Sequence, residues 1–210
     1  MATDTEAGIN FTRRTLLAGA GSLLVNRSAA AAAEPSEPIL LPDLPIIDPH
    51  HHLWEANAAL KRPAYLVEDL VRDMDDGHRI VATVFIEVGS HYRKDGPAEL
   101  RPVGEVEWVI EQSRRDKRVA RGIVGFADLG GANAAQALEA LVAASEGRLK
   151  GIRQSAPYDA SQLNPMSERA RTLYGDPAFR AGLARLGAMG LSFDAWCYHT
   201  TLPQVGSRQE

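Results

Sequence analysis

The segment Pro45–Trp54, PIIDPHHHLW, sets three consecutive histidines behind a short apolar run. Ile46 and Ile47 predict a strand. In an extended chain residues two apart point the same way, so His50 and His52 share one face and His51 takes the other. Two neutral imidazoles side by side are the beginnings of a divalent-metal site, although two alone do not complete a catalytic zinc shell. Asp48, two residues earlier on the same face, either orients a ligand or satisfies backbone donors at the strand end. Position adds weight, because a parallel α/β fold builds its active site where its strands end.

Outward from that strand the chain keeps a rhythm. Further β-branched runs lie at RIVATVFIEVG (79–89), RVARGIVGFADL (118–129), LKGIRQSA (149–156) and GLSFDAWCYH (190–199). Helical periodicity fills the gaps. LVEDLVRDMDDGH (66–78) spaces Leu66, Leu70 and Met74 four apart, and GEVEWVIEQSRRD (104–116) aligns Val106, Val109 and Ile110 opposite a charged face. ANAAQALEALVAASEG (132–147) closes on Gly147, and DPAFRAGLARLGAMG (176–190) opens with an Asp cap and Pro177 in its first turn. Strands alternating with amphipathic helices predict an α/β protein with a parallel sheet, at a repeat of roughly 30 to 40 residues. No glycine-rich phosphate loop follows the first strand, which removes the main signature of a dinucleotide-binding fold. The glycines of GFADLGG (125–131) have the wrong spacing for one.

The N-terminus is different in kind. FTRRTLLAGAGSLLVNRSAAAAAEP (11–35) carries Arg13 and Arg14, an apolar segment from Leu16 to Val25, and then small residues. That order predicts an export signal over residues 1–33, and TRRTLL resembles the twin-arginine type. The apolar segment is shorter than the roughly 20 residues a membrane-spanning helix needs. Cleavage is expected near Ala31 to Ala33, with the mature protein periplasmic or secreted. A proline-rich lead-in follows over 34–44, and the folded domain is expected over 45–210. The 210 residues are 45% hydrophobic and 24% charged with a net charge of -4, which suits a soluble globular protein and gives no reason to expect a nucleic-acid partner. The lone Cys197 excludes an internal disulfide framework and reads as a buried, inert thiol rather than as a nucleophile, its other reading.

IIDPHHHLW resembles the first-strand signature of the amidohydrolase superfamily, in its amidohydrolase-related branch of TIM-barrel, metal-dependent hydrolases. KGIRQ (150–154) and LSFDAWCYH (191–199) are similar to later strands of the group that includes sugar-lactone hydrolases. The resemblance covers most of the chain after residue 44. It implies a distorted (β/α)8 barrel, one divalent metal (zinc or manganese), and water attack on the carbonyl of a lactone or a related ester or amide. By the same resemblance His50 and His52 are the paired first-strand ligands. Some lactonases of this branch work without a tightly held metal. The family's sixth-strand histidine and eighth-strand aspartate, its general base, have no counterpart in this chain.

Other strand-end residues carry paired readings. Arg153, after the fourth strand's Gly151 and Ile152, either binds a substrate carboxylate or lactone oxygen in a catalytic role, or forms a salt bridge in the barrel mouth. Glu87 is either a substrate-binding wall or an ion-pair partner. Asp194 and His199 flank AWCY on the fifth strand, Asp194 as a substrate contact and His199 as a catalytic pocket residue. Trp54 and Tyr158 read as packing or as a sugar-stacking surface. His78 and His91 receive no role. Because a whole barrel takes at least about 250 residues, the chain is expected to hold about five β/α units and to stop after the fifth strand in polar residues without a capping helix. Two functions follow: an exported hydrolase with a small-molecule substrate, or a catalytically incomplete metal- or carbohydrate-binding remnant. Oligomerisation would be one way to cover the open sheet, and without it the exposed apolar surface predicts aggregation.

Overall fold

The computed structural model describes residues 38–161 and 165–206; the predicted export signal lies outside them, as do residues 34–37 of the lead-in. Five strands form one sheet: β1 (Ile46–His51), β2 (Ile80–Ile86), β3 (Gly122–Gly125), β4 (Leu149–Arg153) and β5 (Ser192–Asp194). All neighbours are parallel and the spatial order is the order of the sequence, β1-β2-β3-β4-β5. A doubly wound sheet reverses direction partway; this one never does, which is the winding of a TIM barrel. The result is a curled half-barrel, the expected α/β architecture.

The helices are α1 (Val67–Met74), α2 (Val103–Ser113), α3 (Ala134–Ala144), α4 (Pro165–Ala170), α5 (Pro177–Ala188) and α6 (Leu202–Gly206). Asp176 caps α5 as its sequence predicts, its Oδ1 accepting from the amides of Ala178 at 2.7 Å and Phe179 at 3.3 Å. One apolar layer joins the sheet to its helices. Phe85, Ile123 and Ile152 from the strands meet Leu70, Val109, Leu138, Phe179 and Leu186 from the helices, all buried. Each such side chain contributes about 1.5–3 kcal/mol by leaving water.

Two expectations change. The tail does not run on without a helix, because Tyr198 accepts from the amide of Leu202 at 3.2 Å and Thr201 from that of Gln204 at 3.0 Å, starting the short α6. Nor is the polar side of α2 uniformly solvated: Glu105 is 1% exposed. It stands four residues before Val109, one turn away on the same buried face.

Among the described residues β1 and β5 each pair with a single neighbour. Pro49 lies within β1 and has no N–H to donate to a neighbouring strand. No described helix is long and apolar enough to cross a membrane.

Candidate active site

The end of β1 carries the histidines as its alternation predicts. The Nε2 atoms of His50 and His52 face each other at 3.2 Å, with the rings edge-on at 5.0 Å between centroids. His52 Nδ1 lies 2.7 Å from the Ile86 carbonyl oxygen. A carbonyl can only accept, so Nδ1 carries the proton and the Nε2 lone pair points toward His50. Burial pushes the His52 pKa down and favours the neutral ring. Two imidazole nitrogens at about 2.05 Å from one tetrahedral ion would stand about 3.3 Å apart. The pair therefore fits a shared divalent cation, with the carbonyl holding one ligand in its tautomer. No third His, Cys, Asp or Glu joins them into a metal-holding group among the described residues.

Asp48 takes the second of its two readings: its Oδ1 accepts from the His50 amide at 3.0 Å. His51 faces away, as alternation requires, and is 6% exposed with its ring against Phe85. Burial pushes its pKa down to about 4, against the opposing pull of Asp48 and the Val84 backbone. Neither of its ring nitrogens makes a well-formed hydrogen bond.

Trp54 stands 6.4 Å from the His52 ring. It belongs to an antiparallel excursion after β1 in which Trp54 pairs with Tyr65 and Asn57 with Arg62. The indole N–H donates to the Pro63 carbonyl at 2.9 Å, and the Arg62 guanidinium lies 4.8 Å from the ring centroid. A groove of about 390 Å³ runs beside this cluster, lined by Asp48, all three histidines, Trp54 and Tyr65 among others.

Glu87 and Arg153 pair across the mouth of the half-barrel. Arg153 Nε donates to Glu87 Oε1 at 2.8 Å and Nη2 donates to the Glu87 backbone carbonyl. Both side chains are 12% exposed. The geometry gives Glu87 its ion-pair reading and Arg153 its salt bridge. Arg153 Nη1 nevertheless makes no hydrogen bond among the described residues, so the guanidinium keeps donors for a ligand. Both charges act on His52, Arg153 to lower its pKa and Glu87 to raise it, which ties the pair to the histidine end of the site.

Asp194 lies beside Arg153 in the β4–β5 register and forms no ion pair with it. His199 is exposed in the turn before α6. Tyr158 is half-buried against the core, as is the free thiol of Cys197, which is less enclosed than its sequence suggested. His91 stacks on Trp108 at 3.8 Å between centroids. Glu105 belongs to none of the sequence motifs, yet its Oε1 accepts from the amides of Val88 at 3.1 Å and Ser90 at 2.8 Å. Its spacing from Val109 was the available signal.

No protein-family model matches the chain. An uncharacterized protein of Sinorhizobium fredii, y4mH, is 28% identical; the match covers 75% of this chain and 55% of that protein. Two crystal structures of an amidohydrolase from Burkholderia multivorans, one with bound zinc and one with bound HEPES, align with a TM-score of 0.54 at 21% and 23% identity. Each alignment covers 76% of this chain and 51% or 50% of the other. The chain thus spans about half the length of the proteins it matches, and the likeness to the solved structures establishes the half-barrel fold.

Proposed function

We propose that this chain carries part of the active site of an amidohydrolase-type hydrolase that opens a sugar lactone or similar cyclic ester. The observation that carries the reading is the His50–His52 pair, its Nε2 atoms 3.2 Å apart at the end of β1 with His52 Nδ1 tied to Ile86. The zinc-bound amidohydrolase of Burkholderia multivorans, which shares the fold, supports it. A divalent ion, when bound, supplies Lewis acidity toward a carbonyl and lowers the pKa of a coordinated water. The chain's own groups do the rest. His50 and His52 present their Nε2 atoms side by side, and Ile86 holds the His52 ring in orientation. Arg153, fixed by Glu87, offers its remaining donors to the substrate's carbonyl or carboxylate oxygen. Trp54 provides an aromatic wall against which a sugar ring can stack. The Arg13–Arg14 segment supports export through a twin-arginine-type signal, with a periplasmic or secreted product.

The second reading, a metal- or carbohydrate-binding piece without turnover, is favoured by the lack of a third metal-holding side chain among the described residues. One experiment separates the two. Purified protein is titrated with zinc and manganese by calorimetry, then assayed against sugar lactones by pH-stat, beside a His50→Ala, His52→Ala variant. Metal uptake and hydrolysis that both vanish in the variant support the hydrolase. Uptake without hydrolysis supports the binding piece. Hydrolysis undiminished in the variant sinks the site assignment.

A further inference from the structure

The peptide group joining Glu87 to Val88 is held at both ends. Its carbonyl accepts from Arg153 Nη2, and its N–H donates to Glu105 Oε1 at 3.1 Å. The same oxygen takes the Ser90 amide at 2.8 Å and the Ser90 hydroxyl at 3.3 Å. One buried carboxylate oxygen on the first turn of α2 thus gathers three donors from the loop that leaves β2.

The rest of that loop is fastened to the same helix. Gly104 lets the backbone of 91–93 come close; a Cβ there would sit 2.5 Å from the His91 carbonyl oxygen and 2.8 Å from the Arg93 amide. His91 adopts a left-handed φ of 53° and stacks on Trp108, while Arg93 pairs with Glu107. Of these fastenings, Glu105 alone reaches the peptide that Arg153 grips.

We infer that Glu105 is a positioning residue for Arg153, acting through the Glu87–Val88 peptide. A carboxylate that accepts a peptide N–H polarises that peptide and strengthens its carbonyl as an acceptor. It also fixes where the carbonyl points. Arg153 then takes its aim from two carboxylates: Glu87 directly, and Glu105 through the backbone. The inference rests on reading Arg153 as a substrate-facing group.

The test reads Arg153 itself, so it does not depend on turnover. In ¹⁵N-labelled protein at pH 8, the Arg153 Nη2–H resonance, that of the group bonded to the Glu87 carbonyl, is assigned by its disappearance in Arg153→Lys. Its chemical shift and exchange with water are then followed in Glu105→Gln, Glu105→Ala and Val109→Ala, the last a core substitution on the same helix. A graded response is expected. Glu105→Gln keeps a neutral acceptor and moves the resonance partway upfield. Glu105→Ala speeds exchange about tenfold or more, the equivalent of one charge-assisted hydrogen bond. Val109→Ala lowers the Tm without moving the resonance. A signal unmoved in Glu105→Gln, or moved equally by Val109→Ala, overturns the inference. Should the lactonase assay fail while the graded response holds, the coupling stands and only the substrate reading falls.

Discussion

Substituting the Glu87–Arg153 pair singly and together measures how far the mouth of the half-barrel is shielded from water. Nε and Oε1 stand 2.8 Å apart, which places the charge centres about 4 Å from each other. At an effective dielectric near 20 that separation gives an attraction of about 4 kcal/mol. Each side chain is 12% exposed, so most of its hydration is already lost. Removing one partner leaves the other buried and unpaired, a loss of about 3–5 kcal/mol. Glu87→Leu and Arg153→Met are each expected to destabilise by that amount. The double variant is expected within about 1 kcal/mol of the parent, because two apolar groups replace two desolvated charges. The coupling energy from the cycle is then several kcal/mol. Urea unfolding at pH 7, followed by circular dichroism with a constant m-value, provides all four stabilities. A coupling below about 0.5 kcal/mol would place the pair among solvent-screened surface bridges and refute the shielded mouth.

Burial raises the Glu105 pKa to about 7, so its contribution to stability is complete below about pH 4.5 and is lost as pH rises through 7, by about 3 kcal/mol in total. His51, with its pKa lowered to about 4, works in the opposite sense, gaining as pH rises from 4 to 6.5. The parent curve is therefore expected to be nearly flat between pH 5 and 6.5, and the slope to appear in the difference between parent and Glu105→Gln; a flat difference curve over pH 4.5–8 contradicts the assignment. Two glycines of α5 give opposite signs. A Cβ at Gly182 would meet Leu129, 2.8 Å from its carbonyl carbon and closer still to its oxygen, whereas one at Gly187 meets nothing within 4 Å. Gly182→Ala should lower stability by about 1–3 kcal/mol, and Gly187→Ala should raise it by up to about 1 kcal/mol, both read from thermal melts.

What the sequence disclosed was what local periodicity carries. The five strand segments and the four longer helices follow from spacings of two and of three to four residues, which depend on neighbours along the chain. The facing of His50 and His52 follows from the same rule. Arg153 stayed divided between two readings because its partner lies 66 residues away and reaches it across β3. Only the order of strands brings the ends of β2 and β4 to opposite sides of one mouth. Glu105 was hidden by its charge: a carboxylate in a first turn usually faces solvent, and here the donors that retain it come from a loop of 88–90, which no helical period reports. The short α6 escaped because its five residues are too few to show a period.

The unreversed strand order has a kinetic consequence. Every ladder in the sheet joins strands adjacent in the chain, from Ile46 against Ile80 to Gly151 against Ser192. Each new strand therefore closes a loop of roughly 25 to 40 residues, at an entropic penalty of about 3 kcal/mol, and never has to wait for a segment made much later. A chain leaving the ribosome can add one strand and its helix at a time to an existing edge, from β1 toward β5. The histidine pair on β1 is then in place from the first step. The grip on Arg153 closes only when the fourth strand arrives.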